Sequence, residues 1–306
     1  MLDLRTISQA MTEKMTETLA TTSREMITTD AQDELRLKVA AARARGERIG
    51  LVPTMGALHA GHMSLVVTAR QECDFLVATI FVNPTQFGPS EDFGKYPRPL
   101  QADVETCRAA GVDLVYHPPT ESMYPDGFAT YVVVEGLSNV LEGEYRPGHF
   151  RGVATVVVKL LNCVQTDLVY FGRKDYQQQL LIRKVCRELD VPVEIRTCPT
   201  VREADGLALS SRNRYLTPAE RTTALTLSQS LNLAKKKLIQ GQTDVAAVQR
   251  EMLDFLQSQP GLTLDYAVIA HSETLEVLLS PLPNMIALVA ARVGDTRLID
   301  NLPISL

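Results

Sequence analysis

Two histidines three residues apart, in Pro53-Thr54-Met55-Gly56-Ala57-Leu58-His59-Ala60-Gly61-His62, are the side chains of this sequence best placed for chemistry. The segment follows a short apolar run, Ile49 to Val52, and leads into a helical pattern that begins near His62. A strand, a glycine-bearing turn and a helix start make a place for polyphosphate, because amides at a helix N-terminus point outward and carry partial positive charge. Imidazoles there add donors to phosphoryl oxygens in a transition state. The competing readings are a chance match, an ordinary loop and a metal pair. A metal pair wants a third ligand, and neither flank offers Cys, Asp or Glu within several residues. Position after a strand favours the nucleotide, since α/β folds bind ligands at the carboxyl ends of their strands.

Three further constellations point the same way. Phe171-Gly172-Arg173-Lys174-Asp175-Tyr176-Gln177-Gln178-Gln179 is a second strand-to-helix turn. Gly172 there permits close backbone approach and Lys174 supplies a point charge for phosphate. Asp175 reads as a helix cap, and Gln178 lies in the helix that follows. Asp205-Gly206-Leu207-Ala208-Leu209-Ser210-Ser211-Arg212-Asn213 pairs consecutive hydroxyls with an arginine, a set suited to triphosphate oxygens on a loop that closes over substrate. Asn83-Pro84-Thr85-Gln86-Phe87 ends an apolar strand, and Gln86 both donates and accepts, as a hydroxylated organic acid requires. Arg146-Pro147-Gly148-His149-Phe150-Arg151 adds a cationic patch. Taken singly, each has a plain structural reading as a turn, a cap or a solvated surface.

The elements that must position these residues alternate. Helical patterns at 33–45, 62–72, 100–110, 151–163 and 176–189 separate strands at 48–52, 75–82, 113–116, 168–171 and 193–197, with another strand around Tyr131 to Val134. The run Phe75 to Val82 is almost wholly apolar, as a parallel strand covered on both faces is. Such alternation predicts a Rossmann-like, doubly wound, mostly parallel sheet over residues 31–199. Beyond Pro199 two helices precede three strands, which predicts a smaller α+β domain over 200–306. Residues 1–30 read as an extension. There Ile7, Met11, Met15 and Leu19 share one helical face, and Met26 is an alternative start.

Bulk properties narrow the class. The chain has 306 residues, 45% hydrophobic and 22% charged, with a net charge of -5. That balance gives no electrostatic reason to expect nucleic acid or an anionic membrane. Five cysteines, Cys73, Cys107, Cys163, Cys186 and Cys198, show no CxxC pairing and sit in apolar surroundings. Free buried thiols in a reducing compartment follow, and without a leader-like segment the expected location is the cytoplasm.

In order, these segments, with Tyr96-Pro97-Arg98, Thr200-Val201-Arg202-Glu203-Ala204 and Arg297-Leu298-Ile299-Asp300-Asn301, resemble the pantoate–β-alanine ligases, a His-x-Gly-His family of the nucleotidyltransferase superfamily. The match runs from about Met26 to Leu306. The resemblance implies a homodimer using ATP with Mg²⁺ to join (R)-pantoate to β-alanine through a pantoyl adenylate, giving pantothenate, AMP and pyrophosphate. Carried over by motif, ATP contacts fall on Met55, Gly56, Ala57, Leu58, His59, Ala60, Gly61 and His62. Others fall on Gly172, Arg173, Lys174, Asp175, Val201, Leu209, Ser210, Ser211 and Arg212. The resemblance makes His62 the proton donor and gives pantoate to Gln86 and Gln178, Gln86 also touching β-alanine; His59 and Lys174 are expected beside His62 in catalysis, as donors to the charge that grows on the phosphoryl oxygens.

No residue is assigned as a metal ligand; Asp103 is a candidate whose simpler reading is a helix-surface carboxylate. Three departures stand out: Arg173 where the family usually has Glu, Leu209 for a frequent Met, and the N-terminal extension. The alternatives are a nucleotidylyltransferase that stops at AMP transfer, an aminoacyl-tRNA synthetase, and a noncatalytic nucleotide sensor.

Overall fold

The computed structural model describes residues 25–89 and 91–306. The helical face expected from Ile7 to Leu19 lies outside them. The chain forms two compact units. The first takes the described part of Met1–Thr130 together with Thr155–Phe171 and Val191–Cys198; the second takes Tyr131–Ala154, Gly172–Asp190 and Pro199–Leu306. The partition is not a single cut in the chain, because two earlier segments join the C-terminal one.

The first unit is built on a six-stranded sheet in the order β1-β4-β3-β2-β5-β6. Its strands are β1 (Ile27–Thr29), β2 (Ile49–Thr54), β3 (Phe75–Ile80), β4 (Leu114–Tyr116), β5 (Leu168–Gly172) and β6 (Glu194–Cys198). β1 corrects the sequence reading: residues 27–29 pair in parallel with β4 and belong to the sheet, not to an extension. β2 pairs in parallel with β3, Ile49 opposite Phe75, and with β5, Gly50 opposite Leu168. From β2 the chain steps outward through β3 and β4, then returns to the other side at β5. That reversal is the position at which open α/β sheets place ligands.

The core explains the apolar runs. Val52, Leu76, Ala78, Val115 and Leu168 from the strands meet Leu65, Val66 and Ala69 of the helix α2 (Ala60–Glu72), which follows α1 (Gln32–Ala44) in the chain. Gly50 is required by packing, since a Cβ there would lie 2.5 Å from Cys73 Sγ. All five cysteines are buried thiols outside any disulfide, and burial pushes Cys107 up to about 12 and Cys186 up to about 11.

The second unit carries an antiparallel sheet, β7 (Leu262–His271), β8 (Asn284–Val293) and β9 (Thr296–Ser305). Two helices, Pro218–Ile239 and Val245–Gln257, cover one face through Leu227, Leu231, Val248 and Met252. The first starts with a capping box, Thr217 with Glu220, and Pro218 at its first position. β9 runs past the expected end at Ile299 because it is an edge strand, where Pro303 costs no ladder bond that the sheet needs. The expected strand at 131–134 does not form: these residues belong to no regular element, and Val133 is exposed. Among the described residues no helix is long and apolar enough to cross a membrane.

Candidate active site

The expected site residues divide between the units: Met55 to His62 and Gln86 in the first, Gly172 to Asp175, Gln178, Val201 and Leu209 to Arg212 in the second.

In the first unit, the turn after β2 is bent by two successive left-handed residues, Gly56 at φ 81° and Ala57 at φ 51°. Glycine is needed at 56, where a Cβ would meet Asp103 Oδ2 at 2.8 Å. Ala57 carries the usual cost of about 1–2 kcal/mol for a non-glycine residue in that region. Asp103 is what holds it there. Its two oxygens accept the amides of Ala57 and Leu58, each at 2.8 Å, from a side chain that is almost fully buried. The surface-carboxylate reading of Asp103 is therefore wrong. With both oxygens on the backbone, it acts as a brace under the turn.

His59 is the N-cap of α2. Its Nδ1 accepts the Gly61 amide at 3.1 Å, so in the neutral ring the proton lies on Nε2. The His59 and His62 rings lie 4.1 Å apart, centroid to centroid, close enough to address one phosphoryl group. Two of the amides expected for phosphate, those of Ala57 and Leu58, are instead committed to Asp103. Gln86 is buried; its Oε1 accepts from Asn83 at 3.0 Å and its Nε2 faces Met55 Sδ at 3.0 Å. Asn83 Oδ1 also accepts from the Thr85 and Tyr124 hydroxyls. Met55 and Gln86, distant in sequence, are thus brought together. Asn83 and Tyr124 join them without having been singled out from sequence.

In the second unit, the turn Gly172–Asp175 precedes the helix Tyr176–Glu188. Asp175 is the N-cap residue, but its side chain makes no capping bond, contrary to the expected role; it lies 3.8 Å from Lys174 Nζ. The place a Cβ would take at Gly172 is open, and its backbone is not left-handed, so the protein itself makes no demand for glycine there. Gln178 is half-buried in the first turn of the helix.

Val201 and Leu209, eight residues apart, are joined when the Leu209 amide donates to the Val201 carbonyl at 3.0 Å. The intervening chain closes on itself through the Arg202–Ala208 bridge and Gly206 at φ 97°. Ser210 caps the short helix Ser211–Tyr215 by accepting from the Arg212 amide, and Ser211 is buried.

One buried charge cluster in this unit is paired within the protein. Arg297 binds Glu142 through two bonds of 2.7 Å and Asp265 through a third of 2.7 Å. Burial alone would raise Glu142; the Arg297 guanidinium, with Arg146 and the Tyr266 hydroxyl, outweighs it and holds the carboxyl below its usual range. The cationic patch expected at Arg146 to Arg151 is partly neutralised, because Arg146 lies 3.9 Å from Glu142 and 3.0 Å from His149 Nε2. Among the described residues no group of three or more His, Cys, Asp and Glu could hold a metal ion.

The profile of the family described as pantoate-beta-alanine ligase matches residues 25–303. A pantothenate synthetase of Moorella thermoacetica is 55% identical over 267 residues, covering 87% of this chain and 94% of that protein. The solved pantothenate synthetase of Thermus thermophilus is 48% identical with a TM-score of 0.86, over 90% of this chain and 99% of that one. The pantoate-beta-alanine ligase of Francisella tularensis, solved with beta-gamma ATP and beta-alanine, is 33% identical with a TM-score of 0.72, over 91% and 97%. The chain belongs to the pantoate–β-alanine ligase family.

Proposed function

We propose that this ligase activates the carboxylate of (R)-pantoate with ATP and passes the acyl group to β-alanine, with His62, His59 and Lys174 as its catalytic side chains. A carboxylate does not acylate an amine at neutral pH, because its oxygen is a poor leaving group. In the first half-reaction a pantoate carboxylate oxygen attacks the α-phosphorus, the bond to the bridging oxygen breaks, and pyrophosphate leaves. In the second the free amine of β-alanine attacks the acyl carbon, the carbon–oxygen bond breaks, AMP departs and the nitrogen loses a proton. Pantothenate results.

Charge grows on the phosphoryl and bridging oxygens in the first step. The paired imidazoles answer it from the turn after β2, and Lys174 from the turn after β5. His62 is the proton donor; His59, anchored through Nδ1, presents its Nε2 proton. Met55 to His62, Gly172 to Asp175, Val201 and Leu209 to Arg212 contribute to holding ATP. The open space at Gly172 supports close backbone approach there. Gln86 and Gln178 orient pantoate. Bound with the triphosphate, Mg²⁺ would supply charge screening beside Lys174 and the two imidazoles.

The observation that carries this reading is topological. β2 and β5, the neighbours at which strand order reverses, are the strands that lead into the two phosphate-suited turns. The same reading makes the protein a cytoplasmic homodimer, supported only as to compartment by five buried thiols that form no disulfide. Purified protein given ATP, pantoate and β-alanine should release AMP and pyrophosphate, and should form pantothenate only when all three are present. AMP transfer to some other acceptor, with no need for β-alanine, would overturn it.

A further inference from the structure

Arg297-Leu298-Ile299-Asp300-Asn301 carries part of the family resemblance, yet the reaction as described gives Asp300 and Asn301 nothing to do. Both lie on the edge strand β9, and both are buried. Buried polar groups on a strand whose folding is secured by apolar neighbours such as Leu298 and Ile304 call for a reason.

Their bonds supply one. Asn301 Nδ2 donates to the carbonyl of Arg173 at 3.0 Å and to that of Lys174 at 2.8 Å. These two carbonyls belong to the turn between β5 and the next helix, so no strand ladder fixes them. A carboxamide offers two N–H donors from one neutral nitrogen; an aspartate of the same shape would aim lone pairs at both carbonyls. Asn301 is itself held. Its amide donates to Asp300 Oδ1 at 2.7 Å, and its carbonyl accepts from Arg202 Nη2 at 3.3 Å. Arg202 in turn grips Asp300 with bonds of 2.7 and 2.9 Å. Arg202 directly follows Val201, in the loop that leads to Ser210 and Ser211.

We propose that Asn301 is a positioning residue for adenylation: its carboxamide fixes the backbone from which Lys174 projects, and the Asp300–Arg202 pair fixes Asn301. The proposal rests on the role given to Lys174 above. It explains why two polar residues occupy buried places on β9, and why they are Asp then Asn in that order: the carboxylate meets a guanidinium and an amide, the carboxamide meets two carbonyls.

The test is a double-mutant cycle read by pantoate-dependent ATP–pyrophosphate exchange, with thermal melting as the control for folding. Asn301→Ala should slow exchange about 10- to 100-fold, the penalty of a catalytic group displaced by roughly an ångström. Combined with Lys174→Ala, it should cost less than about twofold more, because residues acting through one another are not additive. Exchange by Asn301→Ala at the wild-type rate overturns the proposal, and so does an equal factor in both backgrounds, which marks general structural damage. If Lys174→Ala alone exchanges normally, the role of Lys174 fails first and takes this proposal with it. Should Asn301→Ala not fold, Asn301→Leu, closer in volume, replaces it; failure of both to fold makes Asn301 a stability residue and also overturns the proposal.

Discussion

The turn after β2 and the turn after β5 are held by opposite chemistry. In the first unit a buried carboxylate, Asp103, accepts two backbone amides beneath the histidine-bearing turn. In the second a buried carboxamide, Asn301, donates to two backbone carbonyls beneath the Lys174 turn. Each brace matches the backbone groups its turn leaves over: amides just before a helix start at Ala60, carbonyls just after a strand end at Gly172. The contrast shows that each turn is held by a side chain whose polarity complements the backbone groups it meets. It also shows that the first turn keeps fewer amides for phosphate than its position suggests.

Substitutions at the braces and at the groups they carry can break this comparison. The largest effect should come from His62→Ala, with adenylation down about 10²–10⁴-fold and the melting temperature unchanged. Near-normal exchange by that variant removes His62 from the chemistry. Lys174→Ala should cost about 10²-fold, the order seen when one preorganised transition-state donor is lost, with weaker ATP use. Unchanged ATP kinetics would contradict it.

Asp103→Ala sharpens the contrast, because it should damage stability as well as rate. Each charge-assisted bond it loses is worth about 1.5–3 kcal/mol, and Ala57 would be released from its left-handed conformation. A denaturant midpoint equal to wild type would show that the turn needs no brace.

Away from both turns, the buried Glu142–Arg297 pair should govern acid stability. Glu142 is held below its usual range in the folded state, so its contribution is present above the unfolded carboxyl value, about 4.3, and lost as pH falls through the lower folded value. Between about pH 5 and pH 3 the wild type should lose stability more steeply than Glu142→Gln, which has no such carboxylate to protonate. Parallel curves would reject the assignment. The smallest effect concerns the thiols. All five are buried, and burial raises Cys107 and Cys186, so a thiol reagent at pH 8 should leave native protein unmodified and label all five only on unfolding.

Much of the architecture was legible because periodicity is a local signal. The apolar runs of β2 and β3 and the capped helix at Pro218 lie close to where the sequence puts them. β1 was hidden because three residues carry no period and its partner, β4, lies far along the chain. At 131–134 the opposite happened: β-branched residues have the propensity, but no neighbouring strand supplies a ladder. The residues proposed to face the ligands could be read from motifs, since turn chemistry is contiguous in sequence. Their supports could not. Asp103 looks like any acidic residue in a first helical turn, and Asn301 like a strand breaker. Only tertiary contact, across 45 residues for Asp103 to Leu58 and 127 for Asn301 to Lys174, reveals what each one holds.

If His62 and Lys174 act as proposed, an acid is activated here by joining it to a nucleotide. Pyrophosphate exchange into ATP, measured with pantoate and without β-alanine, tests it most directly. Wild-type protein should exchange only when pantoate is present, and His62→Ala and Lys174→Ala should each slow that exchange by about 10²-fold or more while remaining folded. Exchange that ignores pantoate, or that survives intact in either variant, would contradict the account.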